Sequence, residues 1–239
     1  GSDILVLRFL GAEGAPVNGI SLSDGTSTVE GEAARMARLT NNGVAAPSLF
    51  GIADCGHADI FEGVLANGRV TAAGVDLTRY TAQPIGQTML YRAESLVYYV
   101  AVSSETGQRG LRRARADATG TYTSNEEVVE GVESLQLMYG LDATPGISMD
   151  TPPVGHVTRL AIASDVSTGT DADAANQWLR VGLVKAGLLM ASPQPSSSVV
   201  PEIAPAALGV QFEPGASNDR RFRSTYEVSI ALRNRLFGN

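Results

Sequence analysis

The chain has 239 residues, 44% of them hydrophobic and 18% charged, which is a globular composition long enough to bury a substantial core in one domain or two. A formal net charge of -7 excludes a broad cationic footprint for nucleic acid, and of the 18 basic residues only Lys185 is a lysine. No run reaches the roughly 18 to 20 apolar residues of a membrane span, and the start lacks the charged-then-apolar pattern of a signal peptide.

Gly1-Ser2 reads as the scar of a cleaved expression tag, so the natural protein is expected to extend upstream of Asp3. Ile4 to Leu10 then predicts a strand, and Gly11 to Gly19 a turn-rich connection. Gly31 to Leu39 predicts a short helix stopped by Asn41-Asn42-Gly43. Ser48 to Ile52 and Ala58 to Leu65 predict strand pieces on either side of the turn Asp54-Cys55-Gly56-His57, and Asn67-Gly68 predicts a hairpin into Arg69 to Ala73.

From Gln87 the strand signals strengthen. Ser95 to Val102 is a dense aromatic and β-branched run that reads as a central strand, followed by a turn and an antiparallel return over Leu111 to Ala116. The next stretch changes period. Val128, Val129, Val132 and Leu135 are spaced like one face of a short helix, with Ser124 and Glu127 as a capping box, whereas Leu135, Leu137, Tyr139 and Leu141 alternate like a half-buried strand. A helix feeding a strand is therefore predicted between Ser124 and Asp142, with the glutamates on a solvated face.

Residues 144–176 and 192–214 read as long loops, rich in Pro, Gly, Asp, Thr and Ser, broken only by the weak run Val157 to Ala163. Between them, Gln177 to Met190 is apolar on both faces, and its two glycines favour a buried strand over a helix. The last element alternates most clearly. Tyr226, Val228, Ile230 and Leu232 are expected to pack on the core, with Thr225, Glu227, Ser229, Ala231 and Arg233 facing away. The sum is a mainly β, α+β fold of antiparallel sheets with one or two short helices.

The chemistry-bearing residues are few. There is no GxxxxGK[ST] loop, no GxGxxG, no GxSxG elbow and no HExxH, which removes the motifs of four enzyme classes. Cys55 is the sole cysteine, so it is a free thiol or pairs outside this sequence, and with His57 at i, i+2 it lacks a third group to orient a base. His57 and His156 are the only imidazoles. Asp165, Asp171 and Asp173 offer oxygen ligands suited to Ca²⁺, but the calcium-loop pattern is incomplete, and a solvated loop with turn-forming aspartates is the commoner arrangement. Arg109, Arg112, Arg113 and Arg115 form the one basic cluster. It reads as a polyanion patch or, more commonly, as a strand face opposite acidic neighbours that also blunts a sheet edge. Tyr98, Tyr99 and Trp178 read as core.

Taken in order, Asp54 to Phe61, Leu96 to Val100, Val129 to Asp142, Trp178 to Val184 and Tyr226 to Arg235 resemble the PilW family of type IV pilus minor pilins, related to the J-type minor pseudopilins of type II secretion. The resemblance implies a two-sheet, pseudopilin-type periplasmic head over 3–239, without its apolar N-terminal helix and leader. It also implies a non-enzymatic role with other minor pilins in an assembly-initiating or tip complex, with no cofactor, no nucleic acid and no small-molecule substrate. The helix would place the subunit at the inner membrane before assembly and in the surface pilus after it, and it would leave room for a partner of Cys55 in the missing portion. A surface adhesin built on the long loops, and a hydrolase using a serine with His57 or His156, are the alternatives from other classes.

Overall fold

The computed structural model describes residues 1–41, 44, 46–117, 121–147, 154–197, 204–212 and 219–232. It is mainly β with a few short helices, and contacts divide the chain into two units. One comprises Val6–Val97 with Arg113–Glu126, and the other Gly1–Leu5, Tyr98–Arg112 and Glu127–Asn239.

The first unit is built on β1 (Leu5–Ser23), β2 (Thr26–Gly31), α1 (Ala33–Ala37), β3 (Leu49–Ala53), β4 (Ala58–Glu62), β5 (Val64–Ala66), β6 (Arg69–Ala73) and the start of β7 (Met89–Val102). Its strands follow the order β4-β3-β7-β1-β2-β6-β5. The predicted turn after Leu10 is absent, because β1 runs unbroken for 19 residues. Its glycines serve packing instead. A Cβ on Gly14 would sit 2.5 Å from the Tyr91 ring, and the register shifts between Val17 and Gly19 where the strand bends. The turn lies later, at Asp24-Gly25, with φ of 49° and 71°, and the predicted Asn67-Gly68 hairpin has the same two-residue geometry at 51° and 74°. The predicted short helix is α1, continued as a 3-10 turn over Arg38–Thr40, while its expected stop at Asn42-Gly43 falls outside the described residues. Phe50, Ile52, Leu90, Val29 and Val70 are fully buried between these strands, with Phe50 stacked on Phe61 at 6.2 Å between ring centroids.

Two further strands, β8 (Arg109–Ala116) and β9 (Tyr122–Glu130), continue the chain, β8 pairing with both β7 and β9. The helix predicted from the capping box is thus a strand. Glu127 pairs across strands with Arg112 at 3.3 Å and Glu126 with Arg113, and Val128 and Val129 suit an extended backbone better than a helix. Gly131, at φ +80°, then turns the chain sharply, where a Cβ would lie 2.6 Å from the Ala191 carbonyl oxygen.

The second unit centres on a four-stranded sheet. It is formed by β10 (Val132–Asp142), β11 (Val157–Ala161), β12 (Val181–Ala191) and β15 (Arg223–Ala231), with α2 (Ala163–Val166), α3 (Ala172–Leu179) and the small hairpin β13 (Ala206–Ala207) and β14 (Val210–Gln211) between them. The order is β11-β10-β12-β15 and every pairing is antiparallel. The loop expected over 144–176 contains β11, α2 and the start of α3, with 148–153 outside the described residues. Likewise 192–214 contains the β13–β14 hairpin, and 198–203 and 213–214 fall outside. Gln177 to Leu179 close α3 instead of opening a strand, and β12 begins at Val181. Leu141, Ala161, Val166 and Val181 form a small core that Trp178 and Tyr139 flank edge to face at 5.1 Å.

Candidate interaction surface

The sequence-predicted chemical residues resolve mostly into local structure. Asp171 is the N-cap of α3, accepting from the Ala174 N–H at 2.9 Å, Asp173 lies in the first turn of α3, and Asp165 lies in the first turn of α2. Among the described residues, no group of three His, Cys, Asp or Glu side chains could hold a metal ion. Cys55 is exposed and free, its Sγ donating to Gln87 Oε1 at 3.5 Å. Its neighbours form an aspartate-anchored turn in which Asp54 Oδ1 accepts from the backbone N–H of Gly56 and of His57, each at 2.7 Å, and these bonds hold the Asp54 carboxyl below its ordinary pKa. His57 Nδ1 lies 3.7 Å from the same carboxylate.

His156 also serves a turn. Its backbone N–H and that of Gly155 donate to Asp142 Oδ2 at 2.7 Å, and the Thr144 N–H donates to Asp142 Oδ1 at 2.7 Å. Burial of Asp142 opposes its charge, but the bonds from Thr144, His156 and Gly155 outweigh it and keep the carboxyl below the usual value. Arg180 completes the clasp by donating to the carbonyls of Asp142 and Thr144 at 3.3 and 2.8 Å. Sequence reasoning read Asp142 only as the end of a strand. The signal lay in the turn-forming Asp-x-Thr that begins the connection.

The arginine cluster is matched with acid. Besides the Arg112 and Arg113 pairs, Arg115 Nε lies 3.4 Å from Glu94 Oε2, and Arg109 donates to the Glu133 carbonyl at 3.4 Å. Because β8 has a neighbour on each side, these arginines do not guard a sheet edge. Tyr98 and Tyr99 are half-buried and not core. In the first unit an open cavity of about 710 Å³ is lined by Phe9, Leu49, Ile60, Tyr122 and the Arg92–Glu94 pair. Arg92 there is occupied structurally, donating to the carbonyls of Leu39 and Asn41 at 2.7 and 2.6 Å.

The surface that sequence reasoning placed wrongly is β15. Tyr226, Val228 and Ile230 were expected on the core, yet they are 59%, 53% and 49% exposed. The expectation fails because β15 is the last strand of its sheet; at its C-terminal end Leu232 packs on the small core, while Arg233 lies outside the described residues. Its opposite face is fastened. Glu227 accepts from the Leu208 N–H at 2.7 Å and lies 4.0 Å from Lys185, and Arg223 pairs with Glu133 and Asp219, each at 2.7 Å. The bonds to Asp219 and then Glu133 raise the Arg223 pKa and keep it charged.

The strand's edge can be read from its flanks. The Phe222 carbonyl accepts from the Ser192 N–H at 2.8 Å, and the Leu232 N–H donates to the Gly182 carbonyl at 2.9 Å, with a register free of shifts between them. Antiparallel pairs alternate between bonded and non-bonded, so the even-numbered residues of β15 bond to β12. The backbone N–H and C=O groups of Thr225, Glu227, Ser229 and Ala231 therefore face outward, and among the described residues no strand meets them. An exposed edge with an apolar stripe beside it is a surface for pairing with another chain.

Comparison with known proteins gives one match. The family model of type IV pilus-assembly protein W (PilW) matches residues 97–234, more than half of the chain and the whole of the four-stranded sheet. The Asp54 to Phe61 segment lies outside that match. No curated protein and no solved structure matches the chain. Among the described residues, no helix is long and apolar enough to cross a membrane.

Proposed function

Because the chain belongs to the type IV pilus-assembly protein W family, and with it to type IV pilus assembly, we propose that it is a minor pilin, a non-enzymatic subunit of the assembly-initiating or tip complex that engages other minor pilins. Residues 3–239 are its periplasmic head. An apolar N-terminal helix, preceded by a prepilin leader, holds the subunit at the inner membrane before assembly and packs in the surface pilus afterwards.

The observation that carries this reading is the family match over residues 97–234. The exposed edge of β15 supports it, since a subunit that acts by lateral contact needs a surface of unmet backbone groups and apolar side chains more than it needs a pocket. The alternative, a surface adhesin, rests on the long connections 144–176 and 192–214, of which the first includes β11, α2 and the start of α3 and the second the β13–β14 hairpin.

The test is a clean deletion of the full-length gene, complemented with the wild-type copy. Loss of surface pili and of twitching motility, both restored by complementation, is the expected result. Normal piliation in the deletion strain overturns the reading.

A further inference from the structure

We propose that β15 pairs with β15 of a second copy of this chain, antiparallel about a two-fold axis at Val228, so that the two four-stranded sheets join into one. This names a partner for the assembly surface and to that extent rests on the pilus-assembly reading, while its test uses the purified chain and fails separately from it.

The edge has few of the usual protections, Glu227 being the one charge in its middle. Arg223–Ala231 contains no proline and no lysine, its register against β12 has no bulge, and at nine residues it is long for an edge strand. Strand pairing must set outward groups against outward groups, which here means odd-numbered residues opposite odd-numbered ones. That leaves few self-registers, and charge and polarity choose among them. Centring on Glu227 sets two carboxylates directly opposite each other. Centring on Tyr226 sets Val228 opposite Ser224. Centring on Ser229 leaves only Glu227 to Ala231 paired within the strand.

Centring on Val228 pairs seven residues, Thr225 to Ala231, without opposing like charges. On the exposed face Val228 meets its own copy, and Tyr226 meets Ile230 in both directions, an aromatic against a β-branched side chain. On the other face Glu227 lies opposite Ser229, and Thr225 opposite Ala231. These two kinds of pair supply the new ladder bonds, through the N–H and C=O groups that no strand meets among the described residues. Val228 then occupies a non-bonded pair of the new ladder, where opposing Cα atoms come to about 4.5 Å. A pair of cysteines there falls within disulfide reach.

The experiment uses the full chain with Cys55→Ser, which removes the exposed native thiol. Under mild oxidation, Val228→Cys is expected to cross-link to a covalent dimer. Tyr226→Cys alone and Ile230→Cys alone are expected to stay monomeric on reducing-agent-free gels, but to cross-link when mixed. In sedimentation equilibrium the chain without added cysteines is expected to dimerise, and Ser229→Pro to weaken association by roughly tenfold or more, because it deletes an outward N–H without touching the ladder to β12. Val228→Lys, which sets two ammonium groups on the axis, is expected to do the same at a site exposed in the monomer. A monomer at high micromolar concentration overturns the proposal, as does equal cross-linking at all three positions. If the chain is monomeric while the wild-type gene still restores pili, the pairing is wrong and the pilus reading stands.

Discussion

Strands β10 and β15 lie two places apart in one sheet, carry the same alternation of large apolar residues, and end in opposite surroundings. Leu135, Leu137 and Leu141 are 4%, 4% and 6% exposed, whereas Tyr226, Val228 and Ile230 are about half exposed. Alternation states which side chains share a face. It does not state whether that face is covered, and here β10 lies inside the sheet while β15 closes it. An apolar edge face in a pilus-assembly protein is better understood as a surface for another chain than as a failure of packing.

The sharpest test of the contrast is Leu137→Ala, which leaves a cavity beside β10 and is expected to cost about 2–5 kcal/mol in urea unfolding. A loss under about 1 kcal/mol would erase the difference between the strands. A second test concerns the Asp142 clasp that ends β10. Asp142→Asn removes the charge that three backbone N–H groups meet, and is expected to cost about 1.5–3 kcal/mol at pH 7. The folded pKa lies below the unfolded value of about 3.9, so the stabilisation is present above pH 4 and is lost as pH falls through the folded pKa. The gap between wild type and Asp142→Asn should therefore close on acidification. A gap that widens below pH 4 would contradict the assignment.

Much of the β architecture was legible because its signals are local. Asn67-Gly68 needs only its own backbone to declare a hairpin, and the aromatic run from Ser95 to Val102 reads as a strand in any context. The errors arose where distant partners decide. Ser124 and Glu127 form a valid capping signature, but Arg112 and Arg113 on β8 capture Glu127 and Glu126 and hold the segment extended. Gly11, Gly14 and Pro16 look like punctuation, yet Gly14 is there so that Tyr91 can cross β1. At the candidate surface, the residues of β15 were read correctly and their exposure was not, because the order of strands in a sheet cannot be derived from the alternation of any one of them. The aspartates considered for calcium show the same ambiguity, since the oxygen that would ligate an ion is the one that caps α3 at Asp171.

On β15 itself the two faces should respond unequally. Arg223→Ala removes a half-buried guanidinium shared by Glu133 and Asp219 and is expected to cost about 1.5–3 kcal/mol, with weakened dependence on salt. Val228→Ala, on the opposite face five residues along the strand, should cost no more than about 0.5 kcal/mol at low protein concentration, because its methyl groups already meet solvent. The concentration dependence then separates the two explanations of that exposure. If the apolar stripe is idle surface, the small effect of Val228→Ala is the same at all concentrations. If it is a docking edge, the wild-type chain gains stability as protein concentration rises and the variant gains less, since only the associated state draws on the lost contact.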